Sequence, residues 1–238
     1  KIYKEFQAVS EVSKQDEALL RIWDFNKVEG VKGNTPDGRF EIVSREREVL
    51  QFIKHHNHDL YKHCLRSLTS VQKDDVTVEY SEVYELPPSH VRFNEFIGKF
   101  GQQFSDNDRL NLVKLLIAKF ADLHEIKVAH RDVGDHSLWI SPAKEVALSN
   151  FISAYHQPAG TVGDFRKTLS VNNRDEKKGQ QATEKVSPYQ EDVRALGFMS
   201  WHILSGQRIS KKSLNTVTEQ LRESELWYSP ILLYATEK

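Results

Sequence analysis

The sequence contains a single cysteine, Cys64, so an internal disulfide is excluded. It has no apolar run long enough to cross a bilayer and no basic-then-apolar leader, which argues against a membrane-embedded or secreted protein. Neither positive nor negative charge is in excess, because 33 Lys and Arg residues balance 34 Asp and Glu residues. A broadly basic surface for nucleic acid is therefore not predicted. Together these absences indicate a reducing, cytoplasmic setting with no membrane contact. The charge balance by itself names no partner, and direct nucleic-acid binding by this chain is not expected.

The composition is that of a globular protein with enough apolar material for a core. Of the 238 residues, 39% are hydrophobic and 28% are charged. The chain opens at Lys1 inside an apolar–polar alternation and stops just after an apolar run at 231–234. We therefore expect it to be part of a longer, multidomain protein.

The first part of the sequence mixes strand and helix periodicity. Residues 1–6 alternate apolar and polar side chains, and 65–71 and 76–84 also have strand character. Residues 44–53 carry apolar side chains at helical spacing, and the Gly- and Asn-containing stretch 26–38 predicts an inserted loop. A small, strand-rich lobe is expected.

The second part predicts a mainly helical lobe. Ser105 is a good N-cap for a long helix that ends near Glu125. The apolar stripe of this helix consists of Leu110, Val113, Leu116, Ile117, Phe120 and Leu123. The later predicted elements are strands at 138–140 and 146–148, a long polar loop at 153–185, a buried helix at 191–204 and a weakly helical remainder.

A short polar motif lies between the long helix and the first of these strands. Residues 128–140 are Val-Ala-His-Arg-Asp-Val-Gly-Asp-His-Ser-Leu-Trp-Ile. The motif resembles the catalytic loop of the protein kinase superfamily, in which His-Arg-Asp is followed by a spacer and a strand. His-Arg-Asp alone is a weak signal, and the helix before it and the strand after it strengthen it.

Four further segments fall at the intervals of the same family. They are Asn150-Phe151-Ile152 in place of Asp-Phe-Gly, Asp192 to Gly197 at the start of a large-lobe helix, Glu46 on a small-lobe helix, and Val83 to Leu86 at the hinge. The pattern is also similar to bacterial kinase domains linked to nuclease-related modules. Five matches in one order are hard to obtain by chance.

The resemblance implies an α+β, protein-kinase-like bilobal fold. Residues 1–86 are expected to form a partial small lobe, and residues 87–238 are expected to form the large lobe. The hinge between the lobes is expected near 84–88. Within the large lobe, the catalytic loop is expected at 130–137 and an activation-like segment at 150–188.

The resemblance also assigns the catalytic roles. Phosphoryl transfer requires a group that orients the acceptor hydroxyl, cations for the triphosphate and a rigid floor. Asp132 is predicted to be the orienting group, on a loop fixed by His130 and Asp192, with Arg131 beside it. ATP is the implied cofactor, and a Ser or Thr hydroxyl of a protein is the implied acceptor.

A lysine on the first strand is expected to bind the phosphates and to pair with Glu46. Lys1 and Lys4 are both candidates, and Lys1 is preferred because Ile2-Tyr3 then continues the strand as in the family. A short contact between a lysine and Glu46 would decide the assignment.

The expected magnesium site departs from the family pattern. Mg²⁺ prefers carboxylate oxygens, but the two family ligands are replaced here by neutral Asn150 and Ser137. Asp135 is a substitute ligand or simply a turn residue. The sequence therefore predicts a weakened or absent Mg²⁺ site.

The expected adenine site departs as well. Glu85 and Leu86 are predicted to contribute to it from the hinge, but Pro87 has no N–H where a backbone donor is expected. Trp139 stands where the family has a small apolar residue under adenine. It either stacks on the base or belongs to the core.

Two polar clusters carry weaker hypotheses. The activation-like segment holds hydroxyl residues that could accept a phosphate and dock it on Arg131, or could belong to an ordinary loop. These residues are Thr161, Thr168, Ser170, Thr183 and Ser187. A second cluster is formed by His55, His56, His58, His63 and Cys64, whose spacing matches no closed four-ligand zinc site.

Three functions remain open from the sequence. The first is an atypical Ser/Thr protein kinase. The second is a pseudokinase that binds nucleotide or acts as a scaffold for a partner domain or protein. A small-molecule phosphotransferase also has a catalytic aspartate but is disfavoured by Arg131 and the long activation-like segment.

Overall fold

The computed structural model describes residues 2–9, 11, 17–27, 34–73, 79–157, 159–160, 187–209 and 213–237. The strands are β1 Tyr3–Val9, β2 Glu17–Trp23, β3 Arg66–Lys73, β4 Glu79–Glu85, β5 Val91–Arg92, β6 Val128–Ala129, β7 Leu138–Ile140, β8 Val146–Leu148 and β9 Tyr155–His156. The α-helices are α1 Pro36–His56, α2 His58–Tyr61, α3 Phe93–Phe100, α4 Asp106–Glu125, α5 Pro188–Ser205, α6 Leu214–Glu223 and α7 Ser229–Glu237. Three 3-10 turns lie at Phe25–Lys27, Gly101–Gln103 and Phe151–Ser153.

A four-stranded antiparallel sheet in the order β1-β2-β4-β3 dominates the first part of the chain. In β2, the side chains of Leu19, Arg21 and Trp23 alternate inward and are buried. Tyr84 of β4 joins the same inner face. The sequence pattern had not predicted β2, because the inward position between Leu19 and Trp23 is an arginine.

Helix α1 packs between this sheet and the rest of the protein. The Thr35 side chain accepts a hydrogen bond from the Gly38 backbone N–H, and Pro36 occupies the first turn, where its missing N–H costs nothing. The helix therefore begins at Pro36, eight residues before the predicted start at Ser44. Its buried side chains include Ile42, Val49 and Ile53.

The remainder of the described chain is mainly helical. Helix α4 has the predicted bounds, because Ser105 and Asp108 form a capping box at its start. Strands β7 and β8 also occur as predicted, and with β5 they form a second small sheet. The predicted α+β class is confirmed, as an antiparallel sheet followed by a mostly helical part. None of the helices in the described ranges combines the length and apolar character needed to cross a membrane.

Gly197 allows α5 and α7 to pack closely. A Cβ at this position would lie 2.9 Å from Thr236 Cγ2 and 3.0 Å from Ala235 Cβ. Replacing Gly197 with valine is therefore expected to lower the free energy of unfolding by about 1–3 kcal/mol, measured by urea denaturation. The control is Gly98→Ala in α3, where an added Cβ meets nothing within 4 Å. This change is expected to leave stability equal or to raise it by up to about 1 kcal/mol. Equal effects of the two substitutions would contradict the packing argument.

Candidate functional site

The loop between β6 and β7 is held in place by a buried carboxylate. Asp192 of α5 accepts hydrogen bonds from the backbone N–H groups of His130 and Arg131, each at 2.7 Å, and lies 3.0 Å from His124 Nε2. Such charge-assisted bonds to two consecutive amides fix the loop backbone. Arg131 is in the left-handed region with a φ of 62°, so its conformation depends on this support.

The Arg131 side chain is already paired within the protein. Its Nε donates to Glu191 Oε2 at 3.0 Å and its Nη1 donates to the Ser153 carbonyl at 3.2 Å. A phosphate docking on Arg131 would therefore compete with Glu191. Of the hydroxyl residues predicted as modification sites, only Ser187 lies in the described part of the chain, where it precedes α5. Thr161, Thr168, Ser170 and Thr183 lie outside the described residues.

The side chain of Asp132 is enclosed, with 1% of its surface exposed. The Asn150 carboxamide donates to Asp132 Oδ2, and His136 Nε2 lies 3.1 Å from Asp132 Oδ1. Both carboxylate oxygens therefore have partners within the protein. His130 is buried beneath, where its Nδ1 faces the Asp132 N–H at 3.2 Å. Burial lowers the pKa of His130, which keeps the ring neutral.

Glu46 of α1 joins the sheet to the segment at 150–151. Its Oε1 accepts from the backbone N–H groups of Asn150 at 2.7 Å and Phe151 at 2.9 Å. Its Oε2 accepts from Arg21 Nη1 at 2.5 Å and from the Tyr84 hydroxyl at 2.8 Å. Glu46 therefore lies beside the Asn-Phe motif, and four donors satisfy this one buried carboxylate.

Arg21 is the cation of this site. It has no exposed surface and lies between the rings of Tyr3 and Tyr84, at 4.4 and 4.7 Å from their centroids. It also donates from Nη2 and Nε to Glu5 Oε1, at 2.9 and 3.1 Å. Burial disfavours the charged form, but Glu46, Tyr84, Tyr3 and Glu5 together outweigh it and raise the pKa of Arg21. Arg21 is therefore charged.

The prediction of a lysine partner for Glu46 is corrected by this geometry. The Lys4 side chain is exposed on β1, and Lys1 lies outside the described residues. Assigning Lys4 to Glu46 is wrong, because the cation at Glu46 is Arg21 on the next strand. The signal that could have found it is an arginine at an inward position of an apolar strand pattern, since buried charges are kept only when paired.

Glu82 adds a second buried carboxylate beside Glu46. Its Oε2 accepts from Trp23 Nε1 at 3.1 Å and lies 2.8 Å from the Tyr84 hydroxyl. Burial, and then the neighbouring charge of Glu46, raise the pKa of Glu82. The single Tyr84 proton can serve only one of the two carboxylates. A protonated Glu82 would satisfy the arrangement by donating to the Tyr84 oxygen.

The predicted adenine slot contains the protein's own side chains. Trp139 is 2% exposed and packs in one buried cluster with Leu19, Leu65, Tyr84, Leu86 and Ala147. The Trp139 Nε1 donates to Ser149 Oγ at 3.0 Å, and the Arg92 guanidinium lies 4.0 Å from the Trp139 ring centroid. Of the two readings of Trp139, the structure supports a core residue.

The predicted hinge residues line a cavity of about 920 Å³ and also contact neighbouring strands. The Leu86 N–H points to the Glu17 carbonyl at 3.4 Å, and Glu85 forms an ion pair with Arg66. Glu85 and Leu86 therefore lie at the predicted hinge, with their polar groups directed to neighbouring strands.

The three predicted metal ligands have separate partners. Asn150 Oδ1 accepts from the Tyr3 hydroxyl at 2.6 Å, Ser137 Oγ lies within a turn with Gly134, and Asp135 accepts from the Asn94 amide. Among the residues that the structure describes, no group of three His, Cys, Asp or Glu side chains is placed to hold a metal ion.

No family model matches this sequence, and a search of curated proteins finds no match either.

Proposed function

We propose that this chain is a protein-kinase-like domain that acts as a binding or regulatory module of a longer protein, without transferring phosphate. The proposal depends on one observation. Asp132, the residue that would orient an acceptor hydroxyl, is enclosed, the Asn150 amide donates to its Oδ2, and His136 Nε2 lies 3.1 Å from its Oδ1. An orienting group must lie within hydrogen-bond reach of the substrate.

Three contacts support the kinase-like part of the proposal. Glu46 pairs with a strand cation, as the helix glutamate of the family does, although the cation is Arg21. Asp192 caps the backbone of the His-Arg-Asp loop, and Gly197 allows close helix packing. For Glu46 and Asp192, these are the roles that the resemblance assigned.

The filled slot supports a role without nucleotide. Leu19 and Trp139 belong to the same buried cluster, so the space around the Trp139 ring is filled by side chains. Arg21 is neutralised by Glu46 and Glu5, which leaves less of its charge for a triphosphate. Neutral Asn150 and Ser137 provide weak ligands for Mg²⁺.

A second candidate is phosphoryl transfer from ATP to a Ser or Thr hydroxyl of a protein. It is favoured by the loop geometry at His130 to Asp132. Asp192 holds the backbone of this loop in a fixed position, as catalysis requires. Catalysis would require Asp132 to exchange its contacts with Asn150 and His136 for substrate.

The experiment is a thermal-shift titration with ATP, with and without Mg²⁺ or Mn²⁺, followed by labelled-phosphate transfer to a generic protein. We expect no shift of the melting temperature and no transfer for the wild type, because the slot is filled. A variant that combines Leu19→Ala and Trp139→Leu removes the filling side chains. This variant is expected to gain an ATP-dependent shift.

Two outcomes would reverse the proposal. A metal-dependent shift of the wild type, together with transfer that is abolished by Asp132→Ala, would establish the second candidate. If Asp132→Ala retained transfer, a contaminating kinase would be the source.

A further inference from the structure

A pocket of about 290 Å³ lies on the helical part of the protein, between α3, the start of α4 and the end of α5. Its lining includes Asn94, Ile97, Gly98, Arg109, His202 and Arg208. A Cβ added at Gly98 would meet nothing within 4 Å, so the wall at this position is open. The pocket is separate from the slot around Trp139.

Two cations face this pocket. Arg109 donates from Nη1 to the Ile203 carbonyl at 2.6 Å and from Nη2 to the Gly101 carbonyl at 2.7 Å. These bonds fix the guanidinium at the pocket wall, and its remaining N–H groups are available for a further acceptor. Arg208 is exposed at the mouth. Within the described ranges, neither arginine forms an ion pair with an acidic side chain.

A buried histidine completes the polar lining. His202 is 5% exposed, and its ring packs edge-on against Phe93 at 5.1 Å between centroids. Burial lowers the pKa of His202 to about 4, so the neutral ring can offer one N–H donor. Asp135 lies beside this lining: its carboxylate accepts from the Asn94 amide, and the hydrogen bond with His136 and the charge of Arg208 lower its pKa. Two guanidinium groups and a neutral imidazole therefore line the pocket.

We propose that this pocket binds an oxyanion, a carboxylate or a phosphate, carried by an extended acidic segment of a partner protein. A fixed guanidinium, an exposed one and a buried N–H donor are complementary to such a group. The open wall at Gly98 gives the segment room to enter. The inference adds a contact surface to the proposed regulatory role and makes no use of the nucleotide slot.

The test is fluorescence anisotropy with two labelled hexapeptides, one of glutamates and one in which a central residue is phosphoserine. We expect saturable binding of at least one peptide to the wild type. Arg208→Gln and Gly98→Gln are each expected to weaken it about tenfold, the first by removing a charge-assisted bond and the second by filling the pocket. Binding of the glutamate peptide alone identifies a carboxylate pocket, and binding of the phosphopeptide alone identifies a phosphate pocket.

Lys114→Gln is the matched control, because Lys114 is an exposed cation of α4 outside the pocket lining. It changes the net charge as Arg208→Gln does and is expected to leave affinity unchanged. The proposal is overturned if neither peptide binds, or if Lys114→Gln weakens binding as much as Arg208→Gln. Circular dichroism confirms that the variants are folded. Because no ATP is present, failure here leaves the result of the nucleotide titration unaffected.

Discussion

Replacing Arg21 with methionine is expected to lower the free energy of unfolding by about 3–5 kcal/mol. The methionine keeps an unbranched apolar stem but has no guanidinium group and no charge, so the carboxylates of Glu46 and Glu5 lose their shared cation. Glu46 is 1% exposed and cannot recover that interaction from water. Removing one partner of a buried pair costs more than the pair contributes, because the other charge stays buried. The measurement is urea denaturation followed by far-ultraviolet circular dichroism.

Two further substitutions separate charge from geometry at this position. Arg21→Lys keeps the charge but loses the planar fork that reaches Glu46 and Glu5 at once, so an intermediate loss is expected. Arg222→Met removes an arginine from an exposed ion pair with Glu237 and is expected to cause no resolvable change. A loss below about 1 kcal/mol for Arg21→Met would contradict the central place of Arg21 in the site.

The local signals of the sequence predicted the large helical part well. Ser105 is the N-cap of α4, because its side chain and that of Asp108 exchange hydrogen bonds with the backbone at the helix start. Helical periodicity was less accurate about which individual side chains of α4 are buried. Ile117 was predicted to be in the buried stripe but is 48% exposed, whereas Leu112 is fully buried. A stripe drawn from spacing alone does not say which edge of the helix meets its neighbours.

The sheet and the site were harder to predict, because their determinants are far apart in the sequence. Strand β2 carries its charge inward at Arg21, and this is favourable only because Glu46 lies opposite. Arg21 and Glu46 are 25 residues apart in the sequence, and Asn150 follows Glu46 by another 104 residues. The motif spacing placed Glu46 and Asn150 correctly in one site. It could not identify the cation, because either a lysine or an arginine satisfies the same carboxylate.

Replacing Asp192 with asparagine is expected to cost about 3 kcal/mol of unfolding free energy. The carboxylate has no exposed surface, and it offers one oxygen to each of two consecutive amides, those of His130 and Arg131. An asparagine side chain offers a single oxygen, and its NH₂ group would face the other N–H, donor against donor. One buried amide is then left unsatisfied, next to an arginine whose positive φ already requires support.

Hydrogen exchange measured by NMR would locate this loss. The amides of His130 and Arg131 should exchange faster in Asp192→Asn than in the wild type. The exchange rates of the α4 amides should rise only by the amount that the loss of global stability explains. Asp59→Asn changes an exposed carboxylate that pairs with Lys62, and it should leave both stability and exchange as they are. If the loop amides stayed protected in Asp192→Asn, another group would have to hold the His-Arg-Asp backbone. The likeness of this loop to a catalytic loop would then lose its main structural support.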